Sequence, residues 1–327
     1  MGRSSAMQAT PSSTREHESC PSGWALYLEG LALGREGKHD EALVLFSRAL
    51  AVDSQLALAW VGRGFALGKQ GLFEEEIDCC NKAIEIDPRC IAAWNNKAFA
   101  LGKLDRFYEK LECCNKAIEI DPENALAWNN KGVAFGMLGK FDAEITCCDQ
   151  AIALRGRYLS AWVNKGYALG KLRRYDEEIA CYNRALKIYP YYLSALINKA
   201  IALSNLKRYR EAIEILDRAL EIVPDHAKAL YRKGLALSLL SRHEEAIPCL
   251  EKALAQDPSI ADAWVVLSNS CFSLGKLEES ARAFDQAYYI DVKDVRSGVV
   301  KGLSLLKTGK FDDAVRSFSE VLGILLR

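Results

Sequence analysis

Cysteine is the first residue type in this chain that promises chemistry. There are eleven, and Cys79-Cys80, Cys113-Cys114 and Cys147-Cys148 form adjacent pairs, with Cys181 and Cys249 continuing one column at the same interval. Thiolates in such numbers suit soft metals or redox exchange. The pattern argues against both. No C-x-x-C occurs, and only 4 His are available to complete a ligand set. A second column is made of carboxamides: Asn96, Asn130, Asn164 and Asn198, with Asn95 and Asn129 one position earlier in two cases. An Asn side chain both donates and accepts hydrogen bonds, so this column suits recognition of polar groups rather than bond making. No Gly-rich phosphate loop, no Ser elbow and no His, Cys and Asp set outside the repeat slots accompanies them. The acids, such as Glu85 and Glu119, read as a solvated face. We therefore expect no catalytic residue, no metal and no cofactor.

Composition narrows the partners. Lys plus Arg and Asp plus Glu are both 43, so no net field draws the chain to nucleic acid or an anionic membrane. Half of the 327 residues are hydrophobic and only 8 are Pro, which fits a folded chain with a large core. No stretch nears the roughly 20 apolar residues of a membrane span, and no secretory h-region opens the chain, so a cytoplasmic protein is expected. Gly2 suggests myristoylation, but Ala6 stands where that signal wants Ser or Thr.

What positions both columns is an internal repeat. From Gly23 onward the sequence matches itself at a period of 34 with no insertion, in units 23–56, 57–90, 91–124, 125–158, 159–192, 193–226, 227–260, 261–294 and 295–327. Numbering slots from the start of each unit, slot 4 is Trp60, Trp94, Trp128, Trp162 and Trp264, slot 8 is small, and slot 11 is mostly Leu. Slots 4, 8 and 11 make one helical stripe, and slots 17, 20, 21, 24, 27 and 28 make another, so each unit predicts two amphipathic helices. A turn such as Gly139-Lys140 separates them, and Asp-Pro at slots 31 and 32 ends the second helix in three units. Small residues at slots 8 and 27 let helix axes approach.

These residues resemble the tetratricopeptide repeat (TPR) family. "AWNNKAFALGKLDRFYEKLECCNKAIEIDPEN" and its neighbours carry the family's Trp, small, aromatic, small and Pro slots in register across residues 23–327, in a dialect similar to multi-repeat TPR proteins of archaea and bacteria. The resemblance implies an all-α, right-handed superhelical solenoid of about nine helix-turn-helix units. It also implies that the first helix of every unit lines a concave groove used for binding rather than chemistry. The slot-6 asparagines are similar to an inner ladder in TPR superhelices of the O-GlcNAc transferase kind, where it grips peptide backbone.

On that reading the groove carries the asparagines, an apolar and aromatic column at slot 9 that includes Phe65, Phe99 and Tyr167, and a cationic border at slot 13 that includes Lys69, Lys103 and Lys171. Asn95 and Asn129 are expected at the edge of the strip. Stacked helices lie about 8–10 Å apart, and an extended chain advances about 3.3–3.6 Å per residue, so each unit matches about three ligand residues. The expected function is a protein-interaction scaffold or adaptor that binds an extended peptide segment. Duplication of one unit also yields such a ladder without any ligand. Rival readings are a structural rod that self-assembles through its ends, and the targeting arm of a separate enzyme such as a glycosyltransferase. The family's carboxylate clamp for chaperone tails is incomplete here: slot 5 holds no Lys, and only the slot-6 asparagines and the pair Lys228 and Arg232 fit.

Departures from the pattern raise further expectations. Slot 20, small in the family, is Glu76, Glu144, Glu178 and Lys110, while slot 7 is Lys97, Lys131, Lys165, Lys199, Lys233 and Lys301. Some of these lysines are expected to approach a slot-20 Glu in their own unit, with stems covering apolar surface. Arg155-Gly156 replaces Asp-Pro in the fourth unit, and a local change of twist is expected there. Cysteines of adjacent units are held near the helix spacing, beyond the ~7 Å reach of a disulfide, so buried free thiols are expected. Residues 1–22, rich in Ser and Thr, predict a disordered tail. The apolar ending Val321-Leu322-Gly323-Ile324-Leu325-Leu326 predicts either a homodimer through the last unit or a longer chain.

Overall fold

The apolar stripes become helices that alternate between 13 and 14 residues. The structure, a computed structural model, describes residues 21–290, 301–303, 305–310, 312–314 and 316–317, apart from the side chain of Tyr288. The tail over residues 1–20 and the apolar ending at 321–327 lie outside the described residues. The helices are α1 (Gly23–Arg35), α2 (His39–Val52), α3 (Ala57–Lys69), α4 (Phe73–Ile86), α5 (Ile91–Lys103), α6 (Phe107–Ile120), α7 (Ala125–Met137) and α8 (Phe141–Leu154), followed by α9 (Leu159–Lys171), α10 (Tyr175–Ile188), α11 (Leu193–Asn205), α12 (Tyr209–Ile222), α13 (Ala227–Leu239), α14 (His243–Gln256), α15 (Ala261–Ser273) and α16 (Leu277–Ile290). Among the described residues there is no strand. Every odd-numbered helix begins where a 34-residue period begins.

The chain divides into two compact units, Met1–Pro122 with α1–α6 and Glu123–Arg327 with α7 onward. Within each, successive helices pack on one another, and the first helices of neighbouring repeats also touch: α1 with α3 and α3 with α5, then α7 with α9, α9 with α11, α11 with α13 and α13 with α15. Fully buried alanines make this closeness possible, among them Ala59, Ala93, Ala127, Ala161 and Ala195 on the first helices and Ala49, Ala83, Ala117, Ala151 and Ala185 on the second. Larger side chains fill the rest, including the completely enclosed Leu101, Leu169, Leu196, Leu203 and Leu216. Deleting such a side chain to Ala costs about 2–5 kcal/mol.

Each turn is fixed by local chemistry. Slot 15 takes a positive φ in every repeat, on Gly37, Gly71, Gly139, Gly275 and Gly309, but also on Asp105, Arg173, Lys207 and Ser241, whose φ is 57–60°. The second helices from α2 to α14 lack a side-chain N-cap hydrogen bond. In four repeats an Arg at that position instead reaches the Glu three residues on with two hydrogen bonds of 2.6–2.7 Å, as in Arg174 to Glu177 and Arg242 to Glu245. The slot-4 indoles pin the turn between repeats: Trp60, Trp94 and Trp162 donate to the carbonyls of Ser54, Pro88 and Gly156 at 3.0 Å.

The Arg155-Gly156 turn keeps the local geometry of its counterparts: Arg155 has φ −141° and ψ 86°, close to Asp121 at −140° and 96°, and Trp162 makes the same bond to the turn carbonyl as the other indoles. That bond uses a backbone oxygen, which Gly supplies as well as Pro. One expectation needs correction: the slot-7 lysines do not approach the slot-20 acids. Lys165, Lys233 and Lys301 bind Asp149, Asp217 and Asp285, 16 residues earlier on the preceding second helix, at 2.5–2.6 Å. Lys97 and Lys131 lie over the rings of Trp94 and Trp128.

Candidate peptide-binding face

The cysteine column is a packing column. Cys79, Cys80, Cys113, Cys114, Cys147, Cys148 and Cys181 are buried thiols that form no disulfide. Loss of hydration pushes the thiols of Cys79, Cys113, Cys147 and Cys181 up to about 11, which suppresses the reactive thiolate at neutral pH.

The first helices present a different chemistry. Asn96 on α5, and Asn130, Asn164 and Asn198 on α7, α9 and α11, are half-buried. Phe65, Phe99 and Tyr167 are exposed by 43%, 49% and 48%, although their type favours burial. Each carries a cation from one helical turn later: Lys69 Nζ lies 4.9 Å from the Phe65 ring centre, Lys103 Nζ 5.5 Å from that of Phe99, and Lys171 Nζ 5.2 Å from that of Tyr167. The aromatic and cationic columns are therefore paired within each helix, giving ring faces topped by ammonium groups.

Asn95 and Asn129 are not at the edge of the strip. Each is only 6% exposed, because slot 5 turns toward the neighbouring repeat. Asn129 Oδ1 accepts from Asn164 Nδ2 at 3.0 Å. Asn130 and Asn198 make no side-chain hydrogen bond among the described residues. Asn164 is thus held from below and keeps a second N–H and its carbonyl oxygen.

Sequence reasoning did not anticipate what lies under the strip. Glu76, Glu144 and Glu178 are buried, each with Oε2 unpaired, against the slot-12 glycines of their own repeats. A Cβ at Gly68 or Gly136 would overlap the Glu76 or Glu144 carboxylate, and one at Gly170 would sit 2.6 Å from that of Glu178. Gly102 stands in the same relation to Lys110 Nζ. Burial raises all three carboxyls from an ordinary 4.5 to about 7, with Lys69 opposing this at Glu76 and the Tyr182 hydroxyl, which donates to Glu178 at 3.2 Å, opposing it at Glu178. The signal was present in the sequence: Gly at slot 12 accompanies a long charged residue at slot 20 in four consecutive repeats.

Stacked helix pairs that recur every 34 residues define a helical repeat protein. Models of the tetratricopeptide repeat match residues 91–124, 113–146, 157–225, 191–259 and 240–294, together more than half of the chain, and the chain belongs to that family. A model of the protein prenyltransferase alpha subunit repeat matches residues 73–104, a likeness of the repeat alone. No curated protein matches the chain. Among solved structures, the chain is similar to a thermophilic TPR protein of Thermus thermophilus, with 23% identity over 56% of this chain and 100% of that one and a TM-score of 0.50. It is also similar to a tetratricopeptide repeat protein of Parabacteroides merdae, with 14% identity over 76% and 98% and a TM-score of 0.58. The Cut9-Hcn1 hetero-tetramer of the APC/C shares 16% identity over 92% and 73%, with a TM-score of 0.58. At these identities the likeness is one of fold. Proteins built from TPR units generally mediate protein–protein interaction. No helix among the described residues is long and apolar enough to cross a membrane.

Proposed function

We propose that this chain is a non-catalytic scaffold or adaptor that grips an extended peptide segment on its first-helix face. The observation that carries the reading is the run Asn130, Asn164 and Asn198 on three successive, touching helices, each half-buried, with Asn164 oriented by Asn129. Asn is a mediocre helix former, so three in helix interiors weaken folding slightly and call for another role. Carboxamides spaced by about 8–10 Å meet the main-chain N–H and C=O of an extended chain about once every three residues. Tyr167 and Lys171 then choose side chains in that unit, while Asn96, Phe65, Phe99, Lys69 and Lys103 form the corresponding set in the first.

The test uses linear decapeptides selected on the full chain from a displayed library. Binding should weaken about tenfold or more when Asn130→Ala and Asn164→Ala are combined, a loss of about 1.4 kcal/mol or more, with helicity unchanged. Equal affinity of wild type and double variant would remove the ladder from the mechanism.

A further inference from the structure

Of the five slot-12 glycines, Gly34 alone faces a small residue at slot 20, and the mismatch leaves a cavity. In the first repeat slot 12 is Gly34 and slot 20 is Ala42, so no long side chain covers the glycine; a Cβ at Gly34 meets nothing within 4 Å. The space that Glu76 fills over Gly68 in the next repeat is open here. It forms a cavity of about 370 Å³ between α1, α2, α3 and α5, within the range of natural ligand pockets. Leu31, Phe46 and Phe65 supply apolar wall, Tyr27, Arg35, His39 and Asn96 bring polar groups to it, and no acid lines it. His39 packs edge-on against Phe65, 6.1 Å between ring centres, and its Nδ1 is buried without a partner.

Arg35 is the one charged residue among those that line the cavity. α3 and α5 contain no acid, and neither Glu29 of α1 nor Asp40 and Glu41 of α2 line it. Arg35, Lys69 and Lys103 meanwhile repeat at slot 13. A chain with equal numbers of acids and bases overall therefore offers, at its one uncovered slot-12 glycine, a cavity that no acid lines and Arg35 borders. A Gly inside a helix costs about 1 kcal/mol relative to Ala, and at Gly34 no neighbour demands it.

We propose that this cavity is an anchor pocket for one bulky apolar side chain, preferably aromatic, of an acidic peptide, whose carboxylates meet Arg35 and the slot-13 lysines. The proposal rests on the groove reading above and names the chemistry of its partner.

Fluorescence anisotropy with the full chain and labelled Glu-rich decapeptides tests it. A peptide with one central Phe should bind about tenfold or more tightly than the same peptide with Ala, and replacing its Glu residues by Lys should abolish binding. Gly34→Leu fills the cavity with a better helix former, so the melting temperature should hold or rise while the Phe preference falls to about one. Arg35→Gln should weaken the Glu-rich peptides and flatten their salt dependence. Asn130→Ala with Asn164→Ala should weaken Phe and Ala peptides equally. Equal wild-type affinity for the two, with the asparagine effect intact, overturns the pocket and leaves the groove. A Phe preference that survives Gly34→Leu also overturns it. Binding that appears only after removal of residues 1–20, or self-association blocked by Gly34→Leu, assigns the cavity to that segment or to a second copy and overturns the acidic partner.

Discussion

Asn164 on α9 donates a carboxamide N–H to Asn129 Oδ1 on α7 over 3.0 Å, so a residue of the exposed strip is fixed by a buried residue of the preceding repeat. Holding Asn164 in one orientation lowers the entropy lost when a ligand binds. Asn129→Ala should therefore lower stability by about 1 kcal/mol and weaken selected peptides several-fold. Asn95→Ala is the control, because Asn95 Oδ1 is buried with no partner and its removal should be neutral or stabilising. Urea melts of both variants decide it; equal costs would deny Asn129 its role.

The buried carboxyls make stability depend on pH in a defined direction. Glu144 ionises near 7 in the folded chain against an ordinary 4.5, and burial is the cause. Below 4.5 it is protonated folded or unfolded and has no effect. Between 4.5 and 7 only the unfolded chain releases the proton, so stability falls as pH rises through that window. Glu144→Gln should raise the melting temperature at pH 8 by several degrees and leave it nearly unchanged at pH 4. A variant less stable than wild type at pH 8 would contradict the assignment.

Four turns hold non-glycine residues at positive φ. Changing Arg173, Lys207 or Ser241 to Gly should stabilise by up to about 1 kcal/mol each, since the left-handed strain of an L-residue outweighs the added freedom of the unfolded chain. The gains should add, because the turns are separate. Chemical denaturation of the triple variant provides the measurement, and a net loss would show that these turns are not strained.

Thiol labelling reports on packing. With Cys113 and Cys147 titrating near 11 and buried, a thiol reagent at pH 7.5 should modify them only at the rate of local opening, and at once in denaturant. Immediate labelling of these cysteines in the native chain would be incompatible with their place in the core.

The sequence by itself determined the helices, their lengths, their turns and the faces they bury. In a repeat array those features follow from periodicity within about 34 residues, and each repeat packs mainly on its neighbours. It also placed the asparagine, aromatic and lysine columns on one helix face. What it did not determine were partners chosen across space. Lys165 pairs with Asp149 at an interval of 16 and Asn164 with Asn129 at 35, and neither is a helical period. Tertiary structure alone decided that Asn129 is buried while Asn130 is half-exposed, since the angle at which neighbouring helices meet sets which of two adjacent residues faces the contact. It likewise decided that slot 20 lies over slot 12. The open volume at Gly34 belongs to that second kind of fact: it depends on which side chain packing brings across the turn, and there packing brings only Ala42.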